Sequence, residues 1–229
     1  MVWLGERDPE WFPALNEALR EPPGLLAAGG DLCPERLLAA YERGIFPWYS
    51  AQQPILWWAP DPRMVLFPDE FKCSRSLAKT LRNGPYRTRI DQAFGDVIRA
   101  CAAPRRSGAD TWLNPEMIAA YQKLFSLGFG HSIETYAAGE LAGGLYGIQL
   151  GQVFFGESMF SRRREASTVA LARLVQECRA RDIRLIDCQV ASAHLAGLGA
   201  REMPRSEFVA LLRRYARRAP SGRWSLPES

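Results

Sequence analysis

Apolar and polar residues change their spacing several times along this chain, and each change marks a different kind of element. In residues 31–44, Asp31 and Pro34 precede Leu37, Leu38 and Tyr41 at helical spacing and Gly44 ends the run, which predicts one helix. The rest of the first sixty residues is turn chemistry: Pro22-Pro23-Gly24, Gly29-Gly30-Asp31, Phe46-Pro47-Trp48-Tyr49 and Pro54-Ile55-Leu56-Trp57-Trp58-Ala59-Pro60-Asp61-Pro62. Prolines interleaved with aromatics predict a rigid, extended, aromatic-lined surface instead of regular structure. From Arg63 the pattern becomes regular. Met64–Phe67 reads as a strand, and Ser74–Leu81, Asp91–Ala102 and Asn114–Leu127 read as helices, the last opened by Asn114-Pro115-Glu116 and closed by Gly128.

The period then shortens to two. His131–Ala137, Glu140–Leu150 and Gln152–Phe160 read as three strands joined by Gly-containing turns, hence an antiparallel meander. A long amphipathic helix follows at Ala166–Arg181, with Val169, Leu171, Leu174, Val175 and Cys178 toward its buried face, and after it the apolar strand Leu185–Cys188. Strand, helix, strand implies a right-handed parallel crossover. A short helix near His194–Leu198, the segment Ala200–Pro204 and a helix at Ser206–Arg218 complete the chain. The expected fold is α+β: a small irregular N-terminal domain over residues 1–62, and an acetyltransferase-like (GNAT-type) mixed sheet with flanking helices over residues 63–229.

Composition narrows the class. With 47% hydrophobic and 24% charged residues in 229, the chain can bury a core, which excludes disorder, collagen and a coiled coil. Charge and proline arrive at once in Met1–Pro9, and no stretch approaches the ~18 apolar residues of a membrane span, so a cytoplasmic enzyme is expected. Five scattered cysteines read as buried thiols, and two histidines without metal-ligand spacing give no metal site. Net charge is +4, but residues 161–229 carry 14 Arg and no Lys against 7 acidic side chains. Arginine forks match phosphate geometry; codon composition alone gives the same excess.

Four chemistries can be weighed. Gly156-Glu157-Ser158-Met159-Phe160 begins like a nucleophile elbow but lacks the closing glycine. Cys188 could pair with His194, yet it stands in an apolar strand that disfavours a thiolate. Gly143-Gly144-Leu145-Tyr146-Gly147 lies inside a strand and fits no phosphate loop, and Phe160–Ser167 lacks the glycine turn that holds the pyrophosphate of acetyl-CoA, so no such cofactor is expected. What remains is a polar cluster at strand ends: Glu157 and Ser161 on one strand, Asp187 and Gln189 two apart and so on one face of the next. Asp187 there is either part of a reaction centre or the partner of an arginine. Trp48, Tyr49, Trp57, Trp58, Trp112 and Tyr121 read either as a stacking surface for the bases of an RNA end or as core fillers. Arg75, Lys79 and Arg82 fall on one helix face, which suits phosphates or simple solvation.

At these residues the chain resembles the leucyl/phenylalanyl-tRNA–protein transferase family. The resemblance is carried by Glu21–Ala27, Gly29–Leu32, Gly44–Tyr49, Pro54–Arg63, Ser74-Arg75-Ser76, Gly143–Gly147, Gly156–Ser161 and Leu185–Gln189. It implies an enzyme that takes Leu, or less readily Phe or Met, from aminoacyl-tRNA and joins it to proteins beginning with Arg or Lys, marking them for degradation. It implies neither metal nor acetyl-CoA, and a monomer. By matched motif, Trp48 and Trp112 would hold the terminal adenosine, an apolar pocket including Leu174 the aminoacyl side chain, and Arg75, Lys79 and Arg82 the acceptor stem. Tyr121 would join the substrate-binding residues, and Glu157, Ser161, Asp187 and Gln189 would line the reaction centre. Asp187 would orient Gln189, Gln189 would position the attacking amine, and Glu157 would pair with the acceptor's cation. Lys72 stands where the family usually has His, and Ala166-Ser167-Thr168 where it usually has Ala-Ser-Lys. The alternatives are an acetyl-CoA-dependent N-acetyltransferase, a non-catalytic RNA-end binding module and a hydrolase built on Ser158.

Overall fold

The computed structural model describes residues 1–5, 7–103 and 113–224. The first sixty residues are more regular than their turn chemistry suggests. Strands β1 (Val2–Leu4), β2 (Leu25–Gly29), β3 (Phe46–Pro47) and β4 (Leu56–Trp58) form a four-stranded sheet in the order β1-β2-β4-β3, with helix α1 (Pro34–Glu42) between β2 and β3. Strand β2, Leu25-Leu26-Ala27-Ala28-Gly29, lies inside the sheet and is buried along its whole length. The others span two or three residues, too few for an alternating pattern to register.

The rest builds around a seven-stranded sheet. In chain order come β5 (Arg63–Leu66), α2 (Arg75–Asn83), β6 (Tyr86–Ile90), α3 (Phe94–Ala102), α4 (Pro115–Ser126), β7 (Gly130–Ala137), β8 (Glu140–Leu150), β9 (Val153–Ser161), α5 (Ala166–Ala180), β10 (Leu185–Gln189), α6 (Ala193–Gly197), β11 (Arg201–Met203) and α7 (Arg205–Tyr215). The strand order is β11-β5-β10-β9-β8-β7-β6. The meander β7–β8–β9, the crossover helix α5 and the parallel strand β10 stand in the order expected for an acetyltransferase-like mixed sheet. Strand β6 has no counterpart in the pattern reading: Arg87 and Arg89 make it look polar, as suits an edge strand paired on one side only. Helix α3 starts three residues later than expected because Asp91, at φ +56°, turns its carboxylate onto Ser132 N–H and His131.

Local chemistry starts two helices where predicted. Ser74 Oγ accepts from Leu77 N–H at 3.1 Å to cap α2, and Asn114 Oδ1 accepts from Met117 N–H at 2.9 Å to cap α4. Helix α5 instead enters from Glu165 at φ +63°. Its first turn rests on Gly143 of β8, where an added Cβ would lie 2.6 Å from Ala166 Cβ, so this close approach requires glycine.

Both sheet faces are covered. On one face Phe154, Leu145, Ile133 and Ile186 pack with Leu171, Leu174 and Val175 of α5 and with Trp224. On the other, Val153, Phe155, Tyr146 and Leu185 join Leu37 and Tyr41 of α1, Tyr121 of α4, Trp57 of β4 and Phe208 of α7 in one core that crosses residue 62. Burying a side chain such as Phe155 contributes about 1.5–3 kcal/mol, so this shared core ties the small sheet firmly to the large one.

Candidate active site

The site begins where two neighbouring strands stop pairing. Strands β9 and β10 run parallel until Phe155 and Asp187 and then part. Each carries an irregularity there. Opposite β8, Glu157 is the extra residue between Gly156 and Ser158; opposite β5, Cys188 is the extra residue between Asp187 and Gln189. Such bulges re-aim side chains and end pairing, and here they leave polar groups at the mouth of a parted sheet.

Asp187 is fully buried on an apolar strand, which requires complete compensation. Arg63, the first residue of β5, supplies it: Nε donates to Oδ1 at 2.8 Å and Nη2 to Oδ2 at 2.6 Å, while Nη1 donates to the Gly44 carbonyl at 3.0 Å. The guanidinium lies between the rings of Phe46 and Phe208, 4.7 and 4.8 Å from their centroids. Asp187 Oδ1 also accepts the backbone N–H of Gln189 at 3.0 Å. This corrects the picture of two side chains alternating onto one face. Gln189 has φ +58°, outside strand geometry, and Asp187 holds its backbone in that unusual conformation instead of holding its amide group. The Gln189 side-chain nitrogen is buried with no hydrogen-bond partner among the described residues.

Glu157 has a different environment. Tyr41 of α1 donates to Oε1 at 2.7 Å, Tyr121 of α4 to Oε2 at 2.7 Å, and the two phenol oxygens lie 2.8 Å apart. Burial pushes the Glu157 carboxyl up to about 7; the two phenols oppose the shift and the Asp187 charge adds to it. Burial likewise lifts the phenols of Tyr41 and Tyr121 well above their ordinary range, so both stay neutral donors. Tyr121 is thus wholly buried and bonded to Glu157, not part of an exposed stacking surface; Trp57 and Tyr49 are buried as well.

The remaining predicted residues lie apart from this cluster. Ser161, exposed at the end of β9, donates to the Arg163 carbonyl at 2.7 Å and accepts from Ser167 N–H at 3.2 Å, which shapes the turn into α5. Leu174 is packed into the core on the opposite sheet face. Trp48 is 45% exposed, its ring 5.8 Å from that of Trp58, whose indole N–H donates to the Trp48 carbonyl at 2.6 Å. Tyr49, Gln53 and Ile55, near it in sequence, line an open cleft of about 420 Å³ together with Asn114 and Glu116 from the start of α4. Trp112 lies outside the described residues. Arg75, Lys79 and Arg82 are exposed along α2, without ion pairs among the described residues. Cys73 is exposed and Cys33 and Cys188 half-buried, so only Cys101 and Cys178 match the expectation of buried thiols; burial pushes the Cys188 thiol up, far from a reactive thiolate.

Tyr41 and Arg63 are the site residues that the sequence pattern did not reveal. Tyr41 reads as one more apolar position in the α1 stripe, though a tyrosine in such a stripe needs a partner for its hydroxyl. Among the described residues, no helix is long and apolar enough to cross a membrane.

Two family models match this chain, both within one family: leucyl/phenylalanyl-tRNA protein transferase over residues 65–213, and the N-terminal domain of the same transferase over residues 30–61. The chain is 55% identical over 215 residues to the leucyl/phenylalanyl-tRNA–protein transferase of Chromobacterium violaceum, covering 94% of this chain and 91% of that one. It is 59% identical over 197 residues to the same enzyme of Nitrosomonas europaea, covering 86% and 84%. Among solved structures it is similar to a GCN5-related N-acetyltransferase from Kribbella flavida, at 12% identity and a TM-score of 0.39, covering 75% of this chain and 61% of that one.

Proposed function

Because this chain belongs to the leucyl/phenylalanyl-tRNA protein transferase family and is an aminoacyltransferase, we propose that it moves Leu, and less readily Phe or Met, from aminoacyl-tRNA to proteins that begin with Arg or Lys, marking them for degradation. The observation that carries this reading is Glu157, a carboxyl group at the mouth of the parted strands with two phenols and no cation as partners among the described residues. A cationic acceptor end completes that site by a charge-assisted bond.

The chemistry asks little of the protein. An α-amino group has a pKa of ~7.7–8, so a useful fraction is neutral near pH 7, and the aminoacyl ester is already activated. The site therefore supplies positioning and a path for the departing proton. Arg63 fixes Asp187, Asp187 fixes the Gln189 backbone, and the Gln189 amide, barely basic, accepts a hydrogen bond from the attacking amine through its carbonyl oxygen. The ester electrons leave with the tRNA 3′ oxygen, which takes up a proton as the amide bond forms. Trp48 and Trp112 hold the terminal adenosine, and Arg75, Lys79 and Arg82 meet the acceptor stem. The enzyme acts in the cytoplasm as a monomer, with the unit over residues 1–62 presenting the aromatic surface.

Transfer of labelled leucine from Leu-tRNA to a peptide beginning with Arg, beside one beginning with Ala and an acetyl-CoA control, tests the assignment. Label on the Arg peptide alone is the expected result. Retention of Leu-tRNA without transfer would leave an RNA-end binding module, and label from acetyl-CoA an acetyltransferase.

A further inference from the structure

The three groups around Glu157 can be tested by counting protons. Tyr41 Oη to Glu157 Oε1, Tyr121 Oη to Oε2, and Tyr41 Oη to Tyr121 Oη measure 2.7, 2.7 and 2.8 Å, a closed ring of three oxygen–oxygen contacts. Each contact of that length needs a proton between its oxygens, because lone pairs facing one another repel. Two phenols bring two protons. An ionised carboxylate is acceptor-only and draws both onto itself, which leaves the contact between the phenols empty. A protonated Glu157 closes the ring: its O–H donates to one phenol, that phenol to the other, and the second back to the free carboxyl oxygen.

The surroundings favour the closed ring. Tyr41 comes from α1 and Tyr121 from α4. From β8, Tyr146 brings its ring within 5.5 Å of that of Tyr121, with a buried hydroxyl that has no partner among the described residues. From β10 Asp187 brings a negative charge, and from β5 Arg63 brings a positive one already committed to Asp187 on two sides of its fork. Burial, the largest influence, and the Asp187 charge oppose ionisation of Glu157, while phenol donation and the Arg63 charge favour it; burial prevails.

We propose that Tyr41, Tyr121 and Glu157 share three protons in the substrate-free enzyme near neutral pH, and that capture of a cationic acceptor end converts Glu157 to the carboxylate and expels one proton. The inference rests on the reading that Glu157 meets the acceptor's cation. In this step only the Glu157 O–H bond breaks; its electron pair stays on the carboxylate and the proton goes to water. The cation meant is the side chain of the acceptor's first residue, and selectivity follows directly, since an acceptor whose first side chain is neutral places no charge there to offset the opened ring. Tyr41 becomes a specificity-determining positioning residue: it acts through Glu157.

The test uses the full-length enzyme with carbon-13 in its glutamate carboxyl groups, the Glu157 resonance being the one lost in Glu157→Gln. Near pH 6 the free enzyme is expected to show a neutral carboxyl that shifts to the ionised position on addition of a peptide beginning with Arg, but not one beginning with Ala. Calorimetry of the same titration in two buffers of different ionisation heat is expected to show about one more proton released by the native enzyme than by Glu157→Gln, whose release reports only the peptide's own α-ammonium group. Tyr41→Phe opens the ring while keeping the carboxyl: loss of a donor to a carboxylate would raise the pH at which this resonance titrates, whereas loss of a ring that closes only around the neutral acid lowers it, and the fall is the result expected. An upward shift would make Tyr41 a mere donor to a carboxylate and overturn the ring, as would an ionised Glu157 in the free enzyme at that pH. A neutral resonance unmoved by bound Arg peptide would overturn the acceptor pairing and the proton release while the ring stands.

Discussion

Asp187 and Glu157 sit on neighbouring strands of one sheet and face the same covering layer, yet they are held by opposite means. Asp187 is locked to a guanidinium that is itself clamped by a carbonyl and two aromatic rings. Glu157 is held by two neutral phenols. A buried charge with its own counter-charge is a fixture, costly to disturb and unresponsive to what enters the site. A half-buried acid whose hydrogen-bond partners are neutral is poised to change state when a cation arrives. On the proposed reading, positioning lies on β10 and recognition on β9.

The largest expected effect lies on the fixed side. Arg63→Met strands the Asp187 charge and is expected to lower stability by about 3–5 kcal/mol, read by denaturant unfolding, with much of the loss regained in Arg63→Met with Asp187→Asn. A loss under 1 kcal/mol would erase the contrast between the two carboxyl groups. Next comes Gln189→Ala, for which kcat should fall by about 100-fold while the unfolding midpoint hardly moves, since the residue is expected to meet the reacting amine. Turnover at the native level with both substrates saturating would remove Gln189 from the reaction.

On the recognition side the effects are smaller and more selective. Glu157→Gln keeps shape and hydrogen bonding, so stability should hold, while KM for an Arg-starting peptide rises by about tenfold and tRNA binding stays unchanged. Equal loss of both would mean a structural role. The smallest effect is a slope with pH. The Glu157 pKa is raised above its unfolded value, so the native state holds the extra proton between about 4.5 and 7. Its contribution to stability is fully present below that window and is lost as pH rises through 7. Relative to Glu157→Gln, the native enzyme should therefore weaken across the window even as its use of Arg-starting peptides improves, which paired unfolding curves and pH–rate profiles will show.

Legibility in the sequence follows element length and residue neighbourhood. Strands β7, β8 and β9 span 8 to 11 residues, long enough for the period-two pattern and its glycine turns to stand out, and α5 runs 15 residues. The small sheet is hidden because strands of two or three residues hold no period, and its stability comes from the shared core. The spacing of Asp187 and Gln189 puts both on one face of a regular strand, but the extra residue at Cys188 is a pairing irregularity that no spacing records. Arg63 reads as the residue before a strand. Its partner lies 124 positions away, so only the folded sheet shows what it does.

That separation carries a consequence for the order of events during synthesis. Tyr41 meets its partner 116 positions downstream and Arg63 its own 124 downstream, so residues made early wait for residues made late. Closing such long loops is slow and entropically expensive. In a nascent chain that has not yet passed Gln189, the small sheet and the β7–β8–β9 meander have all their strands, while Arg63 still lacks its β10 partner, so the polar cluster at the parted strands is among the last parts of the molecule to assemble.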